Sequence, residues 1–257
     1  MATTTAMAKK ESTHLVPDWM AKRPVKGLEQ ASLHQTFQRM DVIQALSKPE
    51  IVEQFGVGSV IMQPEQILIA KFGEAFRAVP VFHYSSYAKW LDINDPESAV
   101  APVAAESLDV NGALARLSKN PATREEAYGK KGELSYRYCE HINFVFAFRS
   151  ASANGLASHT FSKGSWTVGN RLCCFLARKK DVDTGQQQTS IFGHVLQLSV
   201  GKASNKRNQS WYQIDFQVPP TASAYTNLDE YDAMERLYDE LAAAHAARLA
   251  TELGGTE

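Results

Sequence analysis

The chain has 257 residues, 44% of them hydrophobic, and a formal net charge of −1. That composition supports a buried core and excludes a bulk polycation, while leaving room for charge segregated along the chain. The 3 Cys include the adjacent pair Cys173 and Cys174, which excludes a disulfide framework and fits a reducing compartment such as the cytoplasm. The first residues lack the apolar stretch of a secretory signal, and no apolar run is long enough to span a bilayer, so no membrane association is expected.

Residues 1–30 are polar and interrupted by Pro17 and Pro24, and read as a mobile arm. Residues 31–220 read as the main domain. A strand is expected within 36–46, then a short helix over 48–55 with Ser47 as N-cap and Glu50 as its reciprocal partner. Apolar runs at 60–62 and 66–72 flank Pro64. Residues 76–92 read as a stronger strand, in which Pro80 calls for an edge or a bulge. Residues 93–132 read as a loop insertion.

The organising stretch begins at residue 134. Leu134, Tyr136, Tyr138, Ile142, Phe144, Phe146 and Phe148 recur with period 2 and predict the core face of a strand over 134–149. Ser135, Arg137, His141, Asn143 and Arg149 fall on the other face. A turn over 150–155 leads to a short strand over 158–161. A helix over 167–180 is predicted, capped by Thr167 and striped by Val168, Leu172 and Leu176. Residues 191–200 and 211–218 read as a hairpin with a basic tip. Tyr212, Ile214, Phe216 and Val218 share its core face, which leaves Trp211, Gln213 and Asp215 facing outward. Residues 221–257 form an acidic end. Its helix, over 228–253, is capped by Asn227 with Glu230, and its apolar face is expected to pack back onto the sheet. The fold class is therefore α+β, mainly β, with an internal short helix and a long C-terminal helix. The strand pattern fits a closed barrel or an open twisted sheet.

No catalytic signature stands out: there is no phosphate-loop, dinucleotide, nucleophile-elbow or zinc-protease motif. No Cys pair has the spacing of a structural zinc site, so neither metal nor cofactor is expected and the chain does not read as an enzyme. Charge is more informative. Residues 130–180 are rich in Lys and Arg against only Glu133 and Glu140, whereas the residues after Tyr225 are predominantly acidic. Cations beside exposed aromatic rings suit single-stranded nucleic acid, which offers phosphates to the former and base faces to the latter. The candidate stacking residues are Trp166 and Trp211. The candidate phosphate contacts are Arg137, Lys163, Arg171, Lys179, Lys202, Lys206 and Arg207.

Several segments occur in a telling order: the Phe-rich strand, the strand over 158–161, Lys163, the helix opening Thr167–Arg171, the run 192–198, Lys202, Asn205, Lys206, and Ser210 to Tyr212. An acidic helix with Asp229, Glu230, Tyr231, Leu237 and Tyr238 follows, and the stretch from Pro80 to Tyr84 with Trp90 precedes them all. In this order the chain resembles the single-stranded DNA-binding proteins of tailed bacteriophages and prophages. The resemblance implies an OB-like Greek-key β-barrel with inserted loops. It also implies sequence-independent binding of single-stranded DNA in replication or recombination, with proteins of those processes as partners and the host cytoplasm as the location. The competing expectation is a non-enzymatic structural or host-interaction protein that associates, as a homo-oligomer or with a partner, through its C-terminal helix.

Overall fold

The computed structural model describes residues 18–21, 23, 26, 38–91, 106–119, 136–177, 189–205, 208–219 and 224–254. In chain order the helices are α1 (Asp18–Ala21), α2 (Pro49–Phe55), α3 (Ala113–Lys119), α4 (Trp166–Leu176) and α5 (Leu228–Gly254). The strands are β1 (Arg39–Val42), β2 (Val60–Gln63), β3 (Ile67–Ala70), β4 (Ala75–Leu91), β5 (Tyr136–Arg149), β6 (Asn154–Phe161), β7 (Leu196–Ser204) and β8 (Ser210–Gln217). They form one 8-stranded sheet in the order β3-β2-β1-β6-β5-β4-β7-β8. Neighbours run antiparallel, apart from the parallel contact between β1 and β6.

The sheet is strongly curled. In a flat sheet, strands as far apart in the order as β1 and β8 would be separated by roughly 24 Å. Yet Gln44, two residues beyond β1, reaches the backbone of Tyr212 on β8. Its Oε1 accepts from the Tyr212 N–H at 2.9 Å and its Nε2 donates to the Tyr212 carbonyl at 2.7 Å. The result is a half-barrel whose gap is bridged by one side-chain amide. The gap is packed as well as bonded: Phe72 stands edge-on to Tyr212 at 5.3 Å. Gly58, at φ +84, leaves room for both rings; a Cβ there would lie 2.7 Å from Phe72 and 3.0 Å from Tyr212.

One face of β5 behaves as its period-2 pattern predicts, with Ile142, Phe144, Phe146 and Phe148 buried. α4 packs on this face through Val168, Leu172 and Leu176, contacting β5, β6 and β8. Gly169 permits the approach, since a Cβ there would meet Phe161 at 2.6 Å. The other face of β5, expected to be polar, is buried too: Val145, His141 and Asn143 are all inside. It is covered by the 106–119 segment and by α5, whose Tyr238 and His245 rings lie 5.7 and 5.8 Å from Phe82 on β4. The apolar face of α5 thus packs on its own sheet. At its start the Glu230 carboxylate receives both Arg77 guanidinium nitrogens at 2.6 Å.

Local differences from the sequence expectations have plain causes. Pro80 does sit at a bulge, where the register of β4 on β5 slips between Pro80 and Phe82, but β4 is an interior strand. It tolerates proline because β7 pairs with β4 only over Ala75 to Ala78, so no partner there needs the missing N–H. Ser47 does not cap α2; Lys48 holds that position, and the Ser47 hydroxyl accepts instead from the Gln44 N–H at 2.9 Å. Thr167 does not cap α4, because a 3-10 turn over Lys163–Ser165 starts the helix earlier and Ser165 is its cap. Asn227 does cap α5, accepting from the Glu230 N–H at 2.9 Å, while the Glu230 carboxylate serves Arg77.

Of the expected arm over 1–30, only residues 18–21, 23 and 26 are described. There Met20 is buried and Trp19 meets Tyr231 edge-on at 5.5 Å. Arg23 pairs with Asp232 and Glu235, and Lys26 with Glu235 and Asp239, so part of the acidic helix is neutralised within the chain. Of the expected 93–132 insertion, residues 106–119 are described; Ser107 and Tyr87 exchange backbone hydrogen bonds at 2.8 and 2.9 Å. Among the described residues no helix is long and apolar enough to cross a membrane.

Candidate nucleic-acid groove

At the gap of the half-barrel lies a groove of about 1230 Å³. Three segments build it: the 44–47 turn after β1, the 162–165 turn after β6, and the β7–β8 hairpin. The first is a rigid β-turn. Ser47 N–H donates to the Gln44 carbonyl at 3.0 Å, and Gln44 is fastened to β8 as described. In the second, Ser162 N–H donates to Ser165 Oγ at 3.0 Å, and Lys163 takes the left-handed conformation at φ +51. That conformation is unfavourable for a residue with a Cβ. It places the Lys163 ammonium 4.5 Å from the centre of the Trp90 ring. The hairpin end is closed by Asn205, whose Nδ2 donates to Gln209 Oε1 at 2.7 Å.

Trp211 lies close against Gly164. A Cβ at Gly164 would sit 2.6 Å from Cε2 and Cζ2 of the indole, so only glycine admits the ring in this position. The indole Nε1 donates to Gln213 Oε1 at 3.0 Å. Trp211 is consequently half-buried rather than fully outward, with its remaining surface lining the groove. Lys163, Lys202 and Tyr212 line it as well. Among the described residues that line it there is no Asp or Glu, in a chain with 28 of them. Lys163 and Lys202 are thus the charged side chains among the described residues that line it.

The structure brings together Lys163, Lys202 and Trp211 of the residues singled out from the sequence. It places two others elsewhere. Arg171 is on the exposed side of α4, paired with Asp215 and stacked 5.1 Å over Phe216, so its charge is balanced within the chain. Trp166 is half-buried against the core, and its Nε1 donates to Glu140 Oε2 at 3.3 Å. Arg137 belongs to β5, opposite Trp90, with its side chain outside the described residues. Lys179, Lys206 and Arg207 also lie outside them. Sequence reasoning missed Gln44, Leu46, Thr160, Gly164 and Tyr212 as parts of the groove. Gln44 and Tyr212 are 168 positions apart, and no local pattern joins them.

Below the groove runs a buried polar chain. Thr160, on the groove wall, donates to Asn143 Oδ1 at 2.6 Å; Asn143 Nδ2 donates to Ser86 Oγ at 3.1 Å; Ser86 donates to Glu106 Oε2 at 2.7 Å. His141 Nδ1 meets the other oxygen of Glu106 at 2.8 Å. Burial pushes the Glu106 pKa upward, but the hydrogen bond and charge from His141, with help from Ser86, outweigh it and hold the carboxyl below its usual range. His159, also on the groove wall, bonds the Met40 carbonyl through Nδ1 at 2.8 Å. Burial lowers its pKa, so it faces the groove as a neutral donor-bearing ring and adds no charge. Among the described residues no three His, Cys, Asp or Glu side chains converge to hold a metal ion.

Residues 9–247 match the family described as Pam3 phage gp34-like protein. No curated protein and no solved structure matches the chain. The match takes in every strand of the sheet, the segments that build the groove and most of α5. On that coverage, the chain belongs to the Pam3 phage gp34-like family, a family of bacteriophage proteins.

Proposed function

We propose that this phage protein binds single-stranded DNA without sequence specificity and protects or organises it during replication or recombination. The observation that carries the reading is the groove on which Lys163, Lys202, Trp211 and Tyr212 meet, with no Asp or Glu among the described residues that line it. Lysines supply phosphate contacts. The Trp211 indole, seated against Gly164, offers a ring for a base to stack on, and such stacking contributes about 1–3 kcal/mol per base. The curled sheet with α4 packed against one face supports an OB-like reading of the fold. In this reading the protein needs no cofactor and performs no catalysis, works in the host cytoplasm, and meets replication or recombination proteins on the DNA. Association through α5 is the weaker alternative, because the apolar face of that helix packs on its own sheet.

The test is fluorescence anisotropy with a labelled oligo-dT of about 30 nucleotides, longer than the site of one OB-fold. Saturable binding that weakens with salt, and that far exceeds binding to a duplex of equal length, is expected. No saturable binding at micromolar protein would remove the proposal. Lys163→Gly sharpens it. Glycine suits φ +51, so folding stability should hold or rise slightly. Loss of one phosphate contact should lower the slope of log K against log salt by about 0.7. An unchanged slope would show that Lys163 touches no phosphate.

A further inference from the structure

The side chain of Leu46 is 99% exposed, more than any other large hydrophobic residue described. A lone exposed leucine on a loose loop is unremarked surface. Leu46 is different in two respects. First, it stands at the apex of a turn that cannot drift: the 44–47 β-turn is closed by its own backbone hydrogen bond, braced by the Ser47 hydroxyl, and fastened at two points to Tyr212 through the Gln44 amide. Second, that turn lines the same groove as Trp211, the residue that follows Ser210 into β8 and immediately precedes the anchored Tyr212. An apolar side chain presented to water from a hydrogen-bonded turn, on a groove that an indole also lines, gains most by covering a flat apolar surface that arrives with the ligand.

We propose that Leu46 is a second nucleobase contact, packing on a base in the groove that Trp211 also lines, so that the site recognises unpaired bases as well as phosphates. The inference rests on the single-stranded DNA reading above and names what that reading leaves open, namely how the groove tells a single strand from a duplex. Bases in a duplex are stacked on one another and offer no free face to a leucine held on a fixed turn. A single strand offers one at every nucleotide.

Leu46→Ala separates the possibilities, because a fully exposed side chain contributes little to folding and the variant should unfold at the wild-type temperature. Two ligands are titrated by anisotropy into wild type and variant: an oligo-dT, and a strand of equal length in which abasic sugars replace the nucleotides. For the oligo-dT the variant should bind about fivefold more weakly, at the low end of what one base contact contributes. For the abasic strand the two proteins should bind alike. Equal affinity of wild type and variant for oligo-dT would overturn the inference while leaving the proposed function standing. So would an equal loss on both strands, which would mark Leu46 as a shape or backbone contact. Failure of the wild type to bind oligo-dT at all would overturn the function and the inference together.

Discussion

Acidification from pH 7.5 to pH 5 should strongly destabilise the protein, because several buried histidines must stay neutral for it to fold. His83, on β4 against Phe144, and His194, between Phe175 and Tyr225, are both buried. His83 Nδ1 and His194 Nε2 have no hydrogen-bond partner among the described residues. Burial pushes each pKa down to about 4 from the ordinary 6.5. Below pH 6.5 the unfolded chain takes up protons that the folded chain refuses. The stability from these groups is complete above pH 6.5, falls as pH drops towards 4, and levels off below that. At pH 5 the loss is on the order of 2 kcal/mol per ring, a large share of the roughly 5–15 kcal/mol that holds a typical domain folded. His159 and His245 shift in the same direction. Glu106, held below its usual range, adds to the loss at lower pH, where its carboxyl becomes protonated. Urea midpoints at pH 7.5 and pH 5 measure the effect, and His83→Phe should flatten the profile. Equal midpoints at the two pH values would show that the rings reach solvent or a hidden partner.

The same histidines show what a sequence can and cannot reveal. Period-2 alternation located β5 and β7, and 3.6-residue spacing located α4 and α5, because each of those elements buries at least one regular face. On β8 the expected core face of Tyr212, Ile214, Phe216 and Val218 holds only for Ile214, with Tyr212 and Phe216 half-buried and Val218 exposed, because β8 is an edge strand of the sheet. His141 and Asn143 broke the pattern. On a strand they read as a solvent face, yet the 106–119 segment packs over that face, and burial is made tolerable by Glu106, Ser86 and Thr160 supplying partners. Such a partnership draws on residues scattered along the chain and leaves no periodic trace. The charge of Arg171 was visible, but its partner Asp215 comes from the edge strand β8 and meets it only after folding. The groove was legible in its cations and its tryptophan. Its walls were not, since the 44–47 turn joins β8 through one amide, and Gly164 matters only through the ring laid on it.

Removing that ring should produce the largest loss of DNA affinity from any one side chain, and removing the space beneath it should do nearly the same. Trp211→Ala deletes a stacking surface and should weaken oligo-dT binding about tenfold, within the 1–3 kcal/mol that one base–aromatic stack contributes. Gly164→Ala leaves the indole present but inserts a Cβ where Cε2 and Cζ2 lie 2.6 Å away, too close for any real contact. The ring must tilt off the turn, so Gly164→Ala should lower affinity severalfold although it deletes nothing. The decisive measurement is the double variant. If Gly164 acts only by seating Trp211, then Gly164→Ala in a Trp211→Ala background should cause no further loss, and the two effects should be strongly non-additive. Additive losses would mean that Gly164 meets the strand directly through its backbone. An unchanged affinity for Trp211→Ala alone would take the indole out of the site and leave the lysines and Leu46 as the DNA contacts proposed for the described groove. Thermal unfolding of each variant keeps the comparison clean, since Trp211 is half-buried on an edge strand and its loss should lower stability without unfolding the sheet.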